Sequence, residues 1–423
     1  MLSLVLLLSG SNTNVAGENV QSGDVTIAPY SVEVLASSGS SPSVSSDGSR
    51  VAYVSSDAIY VTDIGNLSSR NVSPGFQHSL WPMISGNGQT VAFQSFVDQH
   101  FQLYMTSVLN PEAAKLVQFD ASINSYVPSI TYDGRIVAFH TGPQPCCGPG
   151  GTFVVHADGS GLRQIARDSN AEISGDGTML VYSRGGPGPI TLVNLDDGGE
   201  RILYPSGDDP TISYDGSKIA FVAYESLTSD SEVFVVNSDG TGLRQLTDND
   251  VGDLFPSISG DGKLVAYQTE RLNPFGYEIR VVNSDGTGMA RIDVDGQTRT
   301  IFGTGYSHGH VNFNGSAIVF ESNDLGVLLA RRLSPGEAVQ MLAGDVQSLP
   351  IDHGTKASLL GGLFGAKRAL TDGKTSNDPL ACVYLDTFEV KVKLYVGQGK
   401  LTTDETSQLL YLASSIRLAL GCK

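Results

Sequence analysis

The sequence predicts an all-β, seven-bladed β-propeller followed by a small C-terminal α-helical domain. Three observations predict it. A short phrase recurs seven times, with its central Asp or Asn at 47, 87, 133, 176, 215, 261 and 314. Those intervals run from 39 to 53 residues, the period of a propeller blade. Each copy centres on Asp-Gly or Asn-Gly, the pair favoured where a tight hairpin needs positive φ. From about residue 338 the apolar period lengthens to three and four, which is helical.

The chain opens on "MLSLVLLLSGSNTNVAG". Leu2 to Leu8 is an apolar run of signal-peptide length, far too short to span a bilayer. The basic region that usually precedes such a run is missing, since the first Lys or Arg is Arg50. Residues 1–24 are therefore expected to be an export signal or a disordered N-terminus.

The propeller is assigned to 25–337. Its copies are "PSVSSDGSRVAYVS" (42–55), "PMISGNGQTVAFQS" (82–95), "PSITYDGRIVAFHT" (128–141) and "AEISGDGTMLVYSR" (171–184). "PTISYDGSKIAFVA" (210–223), "PSISGDGKLVAYQT" (256–269) and "GHVNFNGSAIVFES" (309–322) complete the set. Most copies add a second hairpin, clearest in "EVFVVNSDGTGLRQLT" (232–247), so each repeat supplies four strands. The seventh copy lacks a fourth strand. "YSVEVLAS" (30–37) has no blade of its own and is expected to pair there, joining the chain ends and removing open edges.

The remainder, 338–423, reads as helices over 355–370, 379–395 and 403–420. The last carries a capping box, Thr402 with Glu405, and Gly421 as terminator. The short turn "VGQGK" makes the last two antiparallel, which brings Cys382 beside Cys422. Four cysteines allow three pairings, and this geometry supports Cys382–Cys422. Cys146 and Cys147, in "GPQPCCGPGG", are assigned to a structural loop of the third blade.

A net charge of −18 argues against nucleic-acid binding, because phosphate contacts need clustered Lys and Arg. No later segment is apolar for long enough to cross a membrane. A secreted or periplasmic monomer is expected.

"PSISGDGKLVAY" followed by "VVNSDGTGLRQLT" resembles the repeat of TolB-type propellers, the PD40 or WD40-like β-propeller repeat, over roughly residues 30 to 335. That group includes periplasmic binding and scaffold proteins, propeller domains of peptidases and some polysaccharide lyases, so the resemblance implies a fold rather than a reaction. "ACVYLDTFEVKV" followed by "LTTDETSQLLYLASSIRLALGC" resembles the helical module called FIMAH, which implies export and no chemistry.

One stretch spells two catalytic motifs, "GTGYSHGHVNFNG" (303–315). Ser307 sits in G-x-S-x-G, yet the elbow of a serine hydrolase needs a strand, a strained turn and then a helix. Here strand, turn and strand follow, so Ser307 is not expected to be a nucleophile. His308 and His310 form an H-x-H pair at the start of an inner strand, which resembles the metal site of oligogalacturonate lyases. Only these two residues carry over: the glutamine expected three residues earlier is Gly305, and the sixth copy has no histidine.

Strand order places His308, His310, Tyr306, His78 and Trp81 where inner strands begin. Gln94, His100, His140, Arg184 and Arg271 fall at or beyond the ends of second strands, on the same face. The expected function is binding or scaffolding, with a protein, peptide or glycan held at this rim, and no catalytic residue, metal or cofactor. The competing reading is a uronide lyase using His308, His140, Tyr306, Arg184 and Arg271, which would need a base, an acid and a charge neutraliser to converge.

Overall fold

Each Asp-Gly or Asn-Gly turn joins the innermost strand of a sheet to the second. In the sixth copy the Ser259 hydroxyl donates to Asp261 Oδ1 at 2.7 Å, and the same oxygen accepts the Lys263 N–H at 3.1 Å. Gly262 follows at φ +67°, where a side chain would be strained. The side-chain oxygen thus shapes the turn before any tertiary contact forms. Five other copies repeat the bond, from Ser45 to Asp47 and from Ser174 to Asp176 for example, while the seventh has Asn312 in the place of the hydroxyl.

The computed structural model describes residues 30–113, 115–117, 125–141, 150–167, 169–184, 187–224, 230–272, 275–292, 310–371 and 378–422. The described chain is a β-propeller with a few helices at its C-terminus. Its strands form five four-stranded sheets and one seven-stranded sheet, in which the long strand Glu200–Ile212 is the shared member. Innermost strands are Gly39–Val44, Ser79–Ile84, Ser125–Ile130, Ser169–Ile173, Asp253–Ile258 and His310–Val311, together with the second half of Glu200–Ile212.

The turns are bonded into a ring. Ser46 N–H donates to Gly86, Asn87 to Tyr132, Tyr132 to Gly175, and Asp176 to Tyr214. Tyr214 then donates to Gly260, Asp261 to Phe313, and Phe313 back to Ser46, all within 2.7–3.0 Å. Glycine and aromatic residues alternate around it. Tyr132, Tyr214 and Phe313 meet edge-on, with ring centroids 5.4 and 5.7 Å apart. A Cβ at Gly86, Gly175 or Gly260 would lie 2.3–2.5 Å from one of those rings, so each glycine makes room for its aromatic neighbour. The turn face is thereby floored with aromatic side chains.

Between sheets the core is apolar, with β-branched residues and stacked pairs such as Phe93–Tyr104, Phe139–Phe153 and Phe221–Phe234. The N-terminal strand Tyr30–Ala36 pairs beside Gly326–Arg332, where the sequence expects it. Gly326 has φ +77°, and a Cβ there would meet the Ala36 carbonyl at 2.1 Å.

The described residues of the C-terminal segment form four helices where the sequence predicts three: α1 (Pro335–Ser348), α2 (His353–Thr371), α3 (Asp378–Gly397) and α4 (Thr403–Ala419). The additional helix, α1, starts on a capping box between Ser334 and Glu337, with Pro335 in the first turn. Helix therefore begins at Pro335, before the boundary expected at 338. Val339, Leu342, Leu363, Leu385, Phe388 and Ile416 are among the side chains of their shared core. Thr402 and Glu405 form the expected capping box, and Gly421 takes φ +68° after α4. Cys382 and Cys422 are disulfide-bonded, their Cα atoms 5.6 Å apart. No described helix is long and apolar enough to cross a membrane. The expected export signal, and Cys146 and Cys147, lie outside the described residues.

Candidate functional site

Inner strands begin on the face opposite the aromatic floor, and their proline decides the local geometry. In five copies the pairing register of inner and second strands skips, at Ser40/Ser43, Leu80/Met83, Tyr126/Ser129, Asp208/Thr211 and Leu254/Ser257. Each skip spans a proline: 42, 82, 128, 210 or 256. Proline has no N–H for the ladder, so it is tolerated on this edge strand as a bulge. The fourth copy has Ala171 instead, and its pairing from Ser169 to Ile173 is unbroken. Four residues before these prolines are held at positive φ: Ser41 (50°), Trp81 (46°), Asp209 (45°) and Phe255 (50°). A non-glycine residue there costs about 1–3 kcal/mol and persists only where its surroundings over-determine it.

Side chains from the preceding second strand reach two of the bulges. Glu321 Oε2 accepts the Ser41 N–H at 2.9 Å, and the Ser183 hydroxyl donates to Asp208 Oδ1 at 2.9 Å. Gln94 holds the equivalent place in its blade and is fully buried. One layer deeper, inner-strand oxygens tie neighbouring sheets together. Ser43 Oγ accepts the Ile84 N–H, and Ser129 Oγ accepts the Ile173 N–H, at 3.0 and 3.1 Å. Glu172 fills this position in the fourth copy, accepting from the Thr211 hydroxyl and Ile212 N–H. Burial pushes its carboxyl up to about 7 against those two bonds.

A second electrostatic feature is the adjacent pair Asp208 and Asp209. Burial first, and then the Asp208 charge, pushes the Asp209 carboxyl up to about 7. Burial also raises the Tyr224 hydroxyl, with the charges of Asp208, Asp209 and Glu270 adding to the effect. Three carboxyl groups therefore surround a half-exposed tyrosine at this mouth. A positive group placed there would gain their attraction and relieve their mutual repulsion.

The structure brings only some of the predicted site residues to this feature. Trp81 is a bulge residue, half-buried at the mouth. His78 is exposed and faces Asp57, Nδ1 to Oδ2 at 3.4 Å, on the neighbouring rim loop. His140 is half-buried in its second strand opposite Tyr126. Arg184 is exposed at a strand end opposite Ser169. The Arg271 backbone pairs with Gly276, in a hairpin running out to Leu272 and Phe275; its side chain is outside the described set. His310 starts a two-residue strand opposite Val319, while Tyr306, Ser307 and His308 lie outside the described residues. Among the described residues no group of three or more His, Cys, Asp or Glu side chains is arranged to hold a metal ion. Sequence reasoning missed Asp208 and Asp209, although "GDDP" (207–210) places two acids directly before a blade proline.

No protein-family model matches this chain, and no curated protein matches it by sequence. Solved structures do match by shape. An oligogalacturonate lyase in complex with manganese aligns at TM-score 0.58 and 14% identity, covering 73% of this chain and 99% of that one. The β-propeller domain of the trilobed protease of Pyrococcus furiosus, which has an open velcro topology, aligns at TM-score 0.53 and 14% identity, covering 70% and 96%. TolB from Acinetobacter baumannii aligns at TM-score 0.41 and 18% identity over 59% and 61%, too slight a likeness to build on. At these identities the chain is similar to β-propellers in fold, and the fold alone follows.

Proposed function

We propose that this chain is an exported binding propeller whose mouth takes a basic side chain of a protein or peptide segment. The acid pair Asp208–Asp209, with Glu270 and Tyr224 beside it, carries the reading: Asp209 stands near neutrality only while nothing positive occupies the place. Trp81 and Phe255, at the equivalent bulges of other blades, offer the aromatic surface on which cations also rest. The aromatic floor favours entry from the opposite face. Seven blades fit the ring of turn-to-turn bonds when the seven-stranded sheet is counted as two blades sharing Glu200–Ile212. Export accords with the Cys382–Cys422 disulfide, since such bonds persist in oxidising compartments, and the disulfide-pinned helices accord with a FIMAH-like module.

The test is binding of Lys- and Arg-containing peptides from an immobilised array. Affinity should rise between pH 6 and 8 as Asp209 gives up its proton, and should fall at least tenfold in Asp208→Asn and Asp209→Asn. Retention of neutral glycans or of uronide oligomers in place of basic peptides would overturn the reading.

The uronide-lyase reading draws on His310 at the start of an inner strand and on the fold likeness to an oligogalacturonate lyase. A polyuronide would bring its carboxylates toward Asp208 and Asp209, which repel them. Stoichiometric divalent metal that is lost in His308→Ala with His310→Ala, together with unsaturated ultraviolet-absorbing products from uronides, would establish it.

A further inference from the structure

One seam between sheets departs from the pattern of its neighbours. Where four other blades stack two aromatic rings across the second and third strands, the sixth copy sets Tyr267 opposite Arg280. The interface it faces is polar and almost fully buried: Glu232 is 3% exposed, Asp253 0%, Tyr267 2% and Glu278 4%. Glu232 comes from the third strand of the preceding sheet, Ser231–Asn237. Asp253 opens the inner strand of the next, Asp253–Ile258. The connection between those sheets, residues 246–252, is pinned to both carboxyl groups at once. Asn249 donates its backbone N–H to Glu232 Oε1 at 3.0 Å and its side-chain N–H to Asp253 Oδ2 at 2.7 Å. The Thr247 and Thr269 hydroxyls donate to the remaining carboxyl oxygens.

We propose that this seam is a proton-dependent latch, in which a proton held on Glu232 keeps the 246–252 loop closed and its loss loosens that loop. The groups facing the latch are Asp230 and Glu232 on one sheet, and Asp253, Tyr267, Glu270, Glu278 and Arg280 on the next, with Glu270 lying against Gly252 of the loop. Exposed Asp248 and Asp250 lie on the loop itself. Among the described residues, five buried or half-buried carboxyl groups are gathered around Arg280, which bonds Glu278 at 2.5 Å. The Tyr267 hydroxyl is buried among them without a hydrogen-bonding partner.

Burial, together with the charges of Asp253 and Asp230, raises the Glu232 carboxyl from 4.5 to about 7, and burial raises Asp253 as well. The closed loop thus holds a proton that the open loop releases. Closure is fully supported below pH 4.5 and loses that support as pH rises through about 7.

Amide hydrogen exchange of residues 246–252, corrected for the chemical rate, reads the latch at pH 5.5 and 8.5. Protection should fall roughly thirtyfold in the wild-type chain, the change expected from one carboxyl displaced from 4.5 to about 7. Glu232→Gln should hold equal protection at both pH values. If that variant does not fold, Asp253→Asn should give a smaller pH dependence than wild type, because the repelling charge is gone. Wild-type protection that does not change with pH overturns the latch, as does a pH dependence equal to wild type in the variant measured.

Discussion

The Phe313 N–H donates to the Ser46 carbonyl at 3.0 Å, linking the last repeat of the propeller to the first. That bond closes the circle of turns at the floor, while strand Tyr30–Ala36 closes the same sheet at its outer edge. Two independent devices therefore join the chain ends, one at the axis and one at the rim. Each can be tested separately.

At the rim, Gly326 faces the Ala36 carbonyl with φ +77°. Gly326→Ala should cost about 1–3 kcal/mol, because it adds both backbone strain and a clash. Urea unfolding checks it. Removing residues 1–36 should make Gly326→Ala less costly, since the carbonyl it strikes is gone.

At the axis, Gly86→Ala should destabilise the propeller by about 1–3 kcal/mol through overpacking against Tyr132. Tyr132→Ala should recover part of that loss in the double variant, and a thermodynamic cycle gives the coupling. Additive effects would mean that the glycine is not there for the ring.

Between pH 5 and 8 the propeller should lose stability. Glu172 is raised from 4.5 to about 7, so the folded chain keeps a proton that the unfolded chain releases. Its contribution is complete below pH 4.5 and disappears as pH rises through about 7. Glu172→Gln should flatten this decline by about 1–3 kcal/mol, read from urea midpoints at the two pH values.

Reducing Cys382–Cys422 opens a loop of 40 residues. The chain-entropy estimate for such a link is about 3–4 kcal/mol. Circular dichroism at 222 nm should show the helices melting earlier in reductant. The β signal should persist to its original midpoint.

The repeat, its turns and the helical tail were legible in the sequence because each is local. Asp261 shapes its own turn, and Thr402 with Glu405 caps its own helix. The first helix, from Pro335, was equally local, since "SPGE" spells its capping box. The bulges were encoded too: five prolines give five register skips, and Ala171 gives none. Which charges meet was not encoded locally. Burial raises the Asp209 carboxyl, with its neighbour Asp208 adding to it, and both act on Tyr224 only because antiparallel pairing folds the second strand back beside the inner one. Glu232 and Asp253 face each other because two sheets pack, and the sequence between them reads as an ordinary polar loop. Hydrogen bonds within a turn span a few residues and leave a signature in the order of side chains. Burial and charge proximity depend on how blades pack around the axis, and only the tertiary structure decides that.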